Sequence, residues 1–131
     1  MRTRQAGFTM IELIVVIVIL GVLAATAMPK FIDMKSDAQQ ASADGIAGAA
    51  ASAMNMNYAG CALTGHVVTA NKCVLVKSCA DAANLLQGGL HADYTLGGTD
   101  PGTTNGATST CKVTHTTSAK FASFTAIAAG N

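Results

Sequence analysis

Near its N-terminus the chain carries a run of 21 residues, Phe8–Met28, that is apolar at almost every position. As an α-helix with a rise of 1.5 Å per residue, this run would extend about 31 Å, close to the roughly 30 Å hydrocarbon core of a bilayer. Arg2 and Arg4 precede it, and their charge predicts an N-terminus on the cytoplasmic side of a membrane. The residues from Lys30 onward are therefore predicted to lie outside the cytoplasm.

The composition indicates one small domain behind this segment. Half of the 131 residues are hydrophobic, but only 5% are aromatic and there is no Trp. A chain of this size and composition has room for a small core beside a membrane-spanning helix. The net charge is +1 and no cluster of basic residues is visible, so a nucleic-acid partner is kept only as an unsupported alternative.

The helical pattern continues beyond Pro29, which is predicted to kink the helix without ending it. One helix is predicted from about Phe8 to about Tyr58, and Gly60 is predicted to end it. The second half is predicted to be amphipathic and to pack a face of small and apolar residues against a sheet. The members of this face are Phe31, Met34, Ala38, Ala41, Gly45, Ala49, Ala53 and Met56, opposite a polar stripe of Asp33, Asp37, Gln40 and Asp44.

Short strands are predicted after the helix, together with one short helix opened by a capping box at Ser78–Asp81 and ending at Gly88. The predicted strands are 66–69, 73–77, 91–96, 111–116 and 121–128, with a Gly- and Thr-rich loop at 97–110. The predicted fold class is α+β. A long N-terminal helical spine, membrane-spanning in its first half, packs in its second half on a small antiparallel sheet stapled by disulfides.

Four cysteines, Cys61, Cys73, Cys79 and Cys111, all follow the apolar run. An even number in a small exported domain predicts two disulfides. Their spacing is not that of a zinc ribbon. Four cysteines allow three pairings, and the sequence does not choose among them. Proximity favours Cys61–Cys73, which leaves Cys79–Cys111.

Glu12 is the one ionisable residue within the apolar run. A carboxylate in a membrane-spanning segment is costly, which indicates a functional role and a partner. Glu12 lies about 6 Å from Phe8 along the helix. If the chain is cut between Gly7 and Phe8, the new α-amino group could pair with Glu12 of a neighbouring subunit in an apolar filament core. The arrangement therefore predicts a chain that polymerises.

Three features together resemble the N-terminal signal of type IV pilins and pseudopilins: residues 7–12 (GFTMIE), the apolar helix, and residues 29–31 (PKF). The likeness is greatest to type IVa and mannose-sensitive haemagglutinin-type pilins. It implies that a prepilin peptidase cleaves after Gly7 and methylates Phe8, and that assembly requires Glu12. The implied divisions are a leader at 1–7, a transmembrane and filament-core helix at 8–28, and an amphipathic helix with a globular sheet domain at 29–131.

The resemblance also implies a function and a location. The chain would be a major-pilin-like subunit that supports adhesion, motility or DNA uptake. It would be held in the inner membrane with its C-terminal domain in the periplasm, and then built into an extracellular pilus. Its implied partners are copies of itself, the prepilin peptidase and the inner-membrane assembly platform.

Other readings of the same residues stay open. A secretory signal cut near Ala25-Thr26-Ala27, or a single-span membrane protein, would leave Glu12 unexplained. Within the resemblance, the alternatives are a pseudopilin of a type II secretion system and a minor pilin acting as an adhesin or DNA receptor. Lys72, Lys77, Lys112 and Lys120 are the lysines that a DNA receptor would use.

No catalytic, cofactor-binding or metal-binding pattern is predicted, so the chain is predicted not to be an enzyme. His66, His91 and His115 are widely spaced and are predicted to be surface or half-buried side chains. Asp100 alone does not form a calcium cage. The Thr-rich loop is predicted to be flexible and solvated, with O-linked glycans as the alternative.

Overall fold

The computed structural model describes residues 7–131, so the predicted leader lies outside the described residues apart from Gly7. The described chain consists of a long helix α1 (Met10–Leu63), a short 3₁₀-helix (Cys79–Asn84) and three strands. These strands are β1 (Tyr94–Gly98), β2 (Thr108–His115) and β3 (Phe121–Ile127). The chain divides into two compact units inside α1, one ending at Lys35 and the other beginning at Ser36.

The first unit is helical from Met10 onward, and every described side chain up to Lys35 is exposed in the isolated chain. Pro29 lies inside α1, so the prediction that the helix continues past it is confirmed. The kink at Pro29 stays a prediction. A stretch of 18 residues in this helix has a mean hydropathy of 2.7, and the helix is long and apolar enough to cross a membrane.

The second unit packs the C-terminal part of α1 against the sheet, which confirms the predicted fold class. The sheet is an antiparallel meander with the strand order β1-β2-β3. Its inner face alternates with an outward face rich in Thr and Ser, as expected for a sheet covered on one side. The core joins Ala43, Ala47, Ala50 and Met54 of α1 to Cys111, Val113, Ala122, Phe124 and Ala126 of the sheet.

The face of α1 that meets the sheet is not the one the sequence predicts. Residues two positions apart on a helix point about 200° apart, and the buried Ala43 and Ala47 are offset by two from the predicted Gly45 and Ala49. Polar contacts accompany this orientation. The Gln40 side chain donates to the Phe121 carbonyl at 2.9 Å and to Asp44 at 3.0 Å, so the predicted polar stripe borders the sheet.

Helix α1 ends at Leu63 rather than near Tyr58, and Gly60 lies within it. A Cβ atom on Gly60 would lie 2.0 Å from the Lys72 carbonyl oxygen, so this glycine permits close approach of the returning chain. The helix stops where Gly65 and His66 both adopt a φ of 62°. The His66 N–H then donates to the Cys61 carbonyl at 2.7 Å, which is a left-handed helix cap.

The prediction of two strands at 66–69 and 73–77 is wrong. This part of the chain forms only the isolated bridges Thr69↔Cys73 and Val76↔Ala129. The backbone of Val74 is instead paired with the Asn57 side chain, which accepts from its N–H and donates to its carbonyl, both at 2.8 Å. The Asn57 side chain thus makes the two backbone hydrogen bonds that a neighbouring strand would otherwise make. The other three predicted strands are confirmed, with bounds shifted by a few residues.

The short helix predicted from the capping pattern is present as a 3₁₀-helix that ends at Asn84, before the predicted stop. The Asp81 carboxylate accepts the N–H groups of Lys77 and Ser78 at 2.9 and 2.8 Å, and the Ser78 hydroxyl at 2.9 Å. Burial of Asp81 acts to raise its pKa. The hydrogen bonds, with the nearby charge of Lys77, outweigh burial and hold the pKa below its ordinary value of 3.8.

Glycine substitutions in α1 test the close approach at Gly60. Gly60→Ala is expected to lower the free energy of unfolding by about 1–3 kcal/mol, because its Cβ would force the Lys72 backbone to move. Gly45→Ala is the control, since a Cβ there meets nothing within 4 Å, and it should raise stability by about 0.5–1 kcal/mol. Denaturant unfolding of the full chain in detergent measures both values. Equal effects would contradict the assignment.

Acid should weaken the Asp81 cap. Because its folded pKa is lowered, the carboxylate contributes stability that is complete above its unfolded pKa and is lost as pH falls through the lower folded pKa. The difference in unfolding free energy between the natural chain and Asp81→Asn should therefore shrink below about pH 3.8. Asp37→Asn, at an exposed position of α1, is the control. A difference independent of pH across this range would show that the charge does not matter.

Candidate functional site

The first turn of α1 is closed by a reciprocal contact between Thr9 and Glu12. The Glu12 carboxylate accepts the Thr9 N–H at 2.8 Å and the Thr9 hydroxyl at 2.7 Å, and the Glu12 N–H lies 3.3 Å from that hydroxyl. This is a capping box, which satisfies N–H groups that the first helical turn leaves without partners. The pattern Thr-x-x-Glu is visible in the sequence, so the role of Thr9 could have been predicted from it.

The capping box gives the Glu12 carboxylate partners within its own chain. A carboxylate with hydrogen-bond donors is less costly to place in an apolar environment than a bare one. The Thr9 groups donate hydrogen bonds to this carboxylate but bring no positive charge to it. The structure therefore places Glu12 at the start of the apolar segment, oriented by Thr9.

The segment behind Glu12 exposes large apolar side chains on every side of the helix. Among the described residues from Phe8 to Leu23, all the large apolar side chains are at least 46% exposed in the isolated chain. Such a helix needs an apolar environment around its whole circumference, either lipid or other helices. Gly21 adds a place for close packing, since a Cβ there would meet nothing within 4 Å.

A second exposed surface lies on α1 in the unit that begins at Ser36. We call it the outer stripe: Ala38, Ala41, Gly45, Ala49 and Met56, on the side opposite the sheet. Met56 is 74% exposed. Gly45, and Gly48 next to the stripe, have no neighbour that would oppose a Cβ atom, although each glycine costs a helix interior about 1 kcal/mol relative to Ala. Packing within the described chain does not explain these glycines.

The cysteines form two disulfides, Cys61–Cys73 and Cys79–Cys111, the pairing that proximity in the sequence favours. The first ties the end of α1 to the returning loop, and the second ties the 3₁₀-helix to β2. No cysteine in the described chain is free. Asp100 accepts the Cys79 N–H at 2.8 Å, so its carboxylate supports the second disulfide.

The remaining candidate side chains do not meet at one place. His66 lies against Tyr58, His91 beside Asp93, and His115 against Tyr94. Within residues 7–131 no group of three or more His, Cys, Asp or Glu side chains is arranged to hold a metal ion. Of the lysines, Lys72 lies beside Gly60 of α1, whereas Lys112 lies over the Phe121 ring on the sheet.

Comparison with known proteins bears on the same N-terminal segment. The family model described as the prokaryotic N-terminal methylation motif matches residues 2–28. The N-terminal segment of this chain is similar to that of type IV pilins and of a pseudopilin of a type II secretion system. The match covers the residues from the basic leader to the end of the apolar run, including Gly7, Phe8 and Glu12.

Three relatives show how far the similarity extends. The chain is 52% identical over 50 residues to the type IV narrow pilus major component PilA5 of Thermus thermophilus, covering 38% of this chain and 43% of that protein. It is 44% identical over 55 residues to the type II secretion system core protein G of Pseudomonas aeruginosa, covering 42% and 39%. It is 54% identical over 39 residues to the type IV major pilin protein PilE1 of Neisseria gonorrhoeae, covering 30% and 24%.

The matched region therefore spans less than half of this chain and of each of these relatives. No solved structure matches the chain. The family resemblance lies in the N-terminal helix, and the sheet with its two disulfides is described by the structure alone.

Proposed function

We propose that this chain is the structural subunit of an extracellular type IV pilus. The observation that carries the proposal is the apolar segment of α1, exposed on all sides, with a single carboxylate held at its start by Thr9. The precursor is anchored in the inner membrane with its C-terminal unit in the periplasm. A prepilin peptidase removes residues 1–7 and methylates Phe8, and an assembly platform in the inner membrane then adds the subunit to the filament.

Polymerisation exchanges lipid for other copies of the same helix. Because lipid tails are as apolar as Leu and Val, this transfer brings no net hydrophobic gain, and selectivity must come from packing and polar pairing. Small residues such as Gly21, Ala24 and Ala25 allow close approach of neighbouring helices. The Glu12 carboxylate pairs with the α-amino group of Phe8 on another copy, so two charges that are costly in isolation neutralise each other.

The outer stripe offers a second surface for packing between subunits, in the unit that begins at Ser36. Gly45 in the stripe and Gly48 next to it lie where nothing in the described chain fills the space beside them. A helix from a neighbouring subunit can approach closely there, as small residues permit between helices. The sheet covers the opposite face of α1, so a subunit can fold on one side of this helix and assemble on the other.

A pseudopilin of a type II secretion system is the second candidate. The observation that favours it is the 44% identity to a core protein of such a system. The two candidates differ in where the polymer is found. Isolation of sheared surface filaments that consist mainly of this chain supports the pilus. A chain that stays in the periplasm, and whose loss stops secretion of other proteins, indicates the pseudopilin.

The proposed cleavage site can be tested by substitution at Gly7. Gly7→Val is expected to leave the precursor uncut, because the side chain would crowd the bond between residues 7 and 8. Ala6→Val, a change of similar size one residue earlier, is the control and should be processed. Mass spectrometry of the purified chains distinguishes the precursor from a product that begins with methylated Phe8. A product beginning at Met28 would instead indicate a secretory signal.

Three variants separate the charge of Glu12 from its capping role. Glu12→Gln keeps an acceptor for the Thr9 groups but removes the charge, and it is expected to abolish filaments. Glu12→Ala should do the same. Thr9→Val removes the cap at a cost of about 1 kcal/mol but keeps the carboxylate, so filaments should still form. The yield of sheared filaments measures assembly. Normal filaments from Glu12→Gln, together with loss in Thr9→Val, would mean that Glu12 acts only as a helix cap.

A further inference from the structure

Strand β3 forms one edge of the sheet, because it pairs only with β2. In an antiparallel ladder, every second residue of such a strand directs its N–H and C=O groups away from its neighbour. The Phe121 carbonyl accepts from the Gln40 side chain, and the Ala128 N–H donates to the residue that precedes β2. These two contacts fix the alternation. Ser123 and Thr125 therefore direct their backbone groups outward, away from β2.

The outward side of this edge already accepts a second piece of chain just beyond β3. Ala129 exchanges two backbone hydrogen bonds with Val76, at 2.8 and 3.1 Å. The Val76 segment then leaves the sheet, because the next two residues donate their N–H groups to the Asp81 carboxylate. Within residues 7–131, no hydrogen bond outside the β2–β3 ladder reaches the backbone of Ser123 or Thr125. This part of the edge is open.

The sequence of β3 does nothing to protect the open edge. Residues 121–127 (FASFTAI) include no charged side chain and no proline, which are the usual means of preventing an edge strand from pairing with another chain. The opposite edge is different. Strand β1 is short, ends in Gly97 and Gly98, and packs against the 3₁₀-helix. The β3 edge is therefore where this sheet is suited to accept another strand.

A groove of about 470 Å³ runs beside the open edge. Residues 122–125 of β3 form one side, and Ala47, Gly48 and Ala51 of α1 form the other. A Cβ atom on Gly48 would meet nothing within 4 Å. In a strand added to β3, every second side chain would point toward α1. The small residues of α1 leave room for those side chains.

One end of the groove carries a negative charge. Among the described residues that line the groove, Asp44 alone is charged. The Gln40 side chain donates both to the Asp44 carboxylate and to the Phe121 carbonyl, at 3.0 and 2.9 Å. Asp44 therefore lies beside the N-terminal end of β3, and an occupant of the groove needs a cation at that end.

We propose that β3 accepts an extended segment of another protein as a fourth strand of the sheet. Backbone donors and acceptors that alternate along a strand are matched by another extended peptide, which supplies the same groups at the same spacing. The added segment runs antiparallel to β3, as the other strands of this sheet do. Its side chains toward α1 are apolar, and a Lys or Arg near its C-terminal end pairs with Asp44.

A second copy of this chain does not supply that cation. In an antiparallel pair of two β3 edges, the residues that follow Ile127 in one copy lie beside Phe121 and Asp44 of the other. Residues 128–131 (AAGN) include no basic side chain, so the carboxylate would face no cation. The open edge and the groove lie within the unit that begins at Ser36, so this inference does not rest on polymerisation.

Peptide selection on the purified full chain in detergent tests the site. The probe is a phage-displayed library of random peptides of about eight residues, within the usual length of a strand. Selected peptides are expected to alternate apolar and polar residues and to carry Lys or Arg near the C-terminal end. One of them is then synthesised with a fluorescent label, and anisotropy measures its dissociation constant. A selection that enriches no peptide over detergent alone would overturn the proposal.

Substitution in β3 shows whether the labelled peptide uses the open edge. Ser123→Pro removes an outward N–H, and proline is tolerated on the edges of sheets. It is expected to weaken binding roughly tenfold or more, because a hydrogen-bond donor is lost and the ring blocks close approach. Ser123→Ala keeps the N–H and should bind the peptide as the natural chain does. Thermal unfolding in detergent shows whether each variant keeps its fold.

Substitution in α1 tests the groove without altering β3. Gly48→Leu is expected to fill the groove and weaken peptide binding. Gly45→Leu is the matched control, since Gly45 lies outside the groove lining and a Cβ on either glycine meets nothing within 4 Å. Peptide binding that is unchanged by Gly48→Leu would overturn the proposal, even if Ser123→Pro does not fold.

A double-mutant cycle tests the charge pair. Replacing the basic residue of the peptide with Ala should weaken its binding to the natural chain about two- to fivefold, as expected for an exposed ion pair. The same replacement should have no effect on binding to Asp44→Asn. Asp37→Asn, an exposed position of α1 outside the groove lining, is the control. Equal losses with all three chains would contradict the proposed orientation of the peptide.

The outcomes separate this inference from the proposed function. Filaments from a natural chain that binds no peptide would disprove the added strand and leave the pilus subunit standing. Peptide binding by a chain that is found in no polymer would do the reverse. If Ser123→Pro folds and abolishes filaments, but the natural chain binds no peptide, the β3 edge joins copies of this chain and the proposal is wrong.

Discussion

Helix α1 presents apolar side chains on two opposite faces, and the sheet covers only one of them. Ala43, Ala47 and Ala50 let the strands approach closely, so a domain with little aromatic content still forms a continuous core with Val113 and Phe124. The same helix carries Gly45 and Gly48 away from the sheet, where nothing in the described chain would oppose a Cβ atom. The proposed assembly can therefore use a surface of α1 that folding leaves exposed.

The chain between α1 and the sheet has little regular secondary structure. It is held by side-chain hydrogen bonds and a disulfide instead. Asn57 supplies the hydrogen bonds that an adjacent strand would give to Val74, and Gly60 makes room for the Lys72 carbonyl. The Cys61–Cys73 disulfide then holds the loop between them. Small exported domains commonly use disulfides where the hydrophobic core is limited.

Sequence patterns predicted where the helices and most of the strands lie better than they predicted which face of α1 is buried. The length of α1 past Pro29, three strands and both disulfides follow from hydrophobic spacing, turn residues and cysteine positions. The buried face of α1 was predicted wrongly, because Ala43 and Ala47 recur with the same period as Gly45 and Ala49, and both sets consist of small residues. The contact from Gln40 to Phe121, which accompanies the observed orientation, joins residues 81 positions apart and has no local signature. The prediction that Gly60 ends the helix was wrong for a similar reason, since the Lys72 backbone that requires a glycine there is close only in the folded chain.

Glu12 has to fit two apolar environments in turn if the chain passes from a membrane into a filament, as the proposed function requires. In the described chain, Thr9 donates both of its hydrogen bonds to one carboxylate oxygen, Oε2, and supplies no cation. In the proposed filament, an ionised carboxylate favours an arrangement that brings a cation to it, such as the α-amino terminus of a neighbouring copy. A fully neutralised carboxylate in the isolated helix would give assembly no electrostatic selectivity, whereas a carboxylate without Thr9 would be more costly to hold in the membrane. A cap that supplies hydrogen bonds but no cation lies between these limits, which is the balance that the proposed function requires of the Thr9–Glu12 pair.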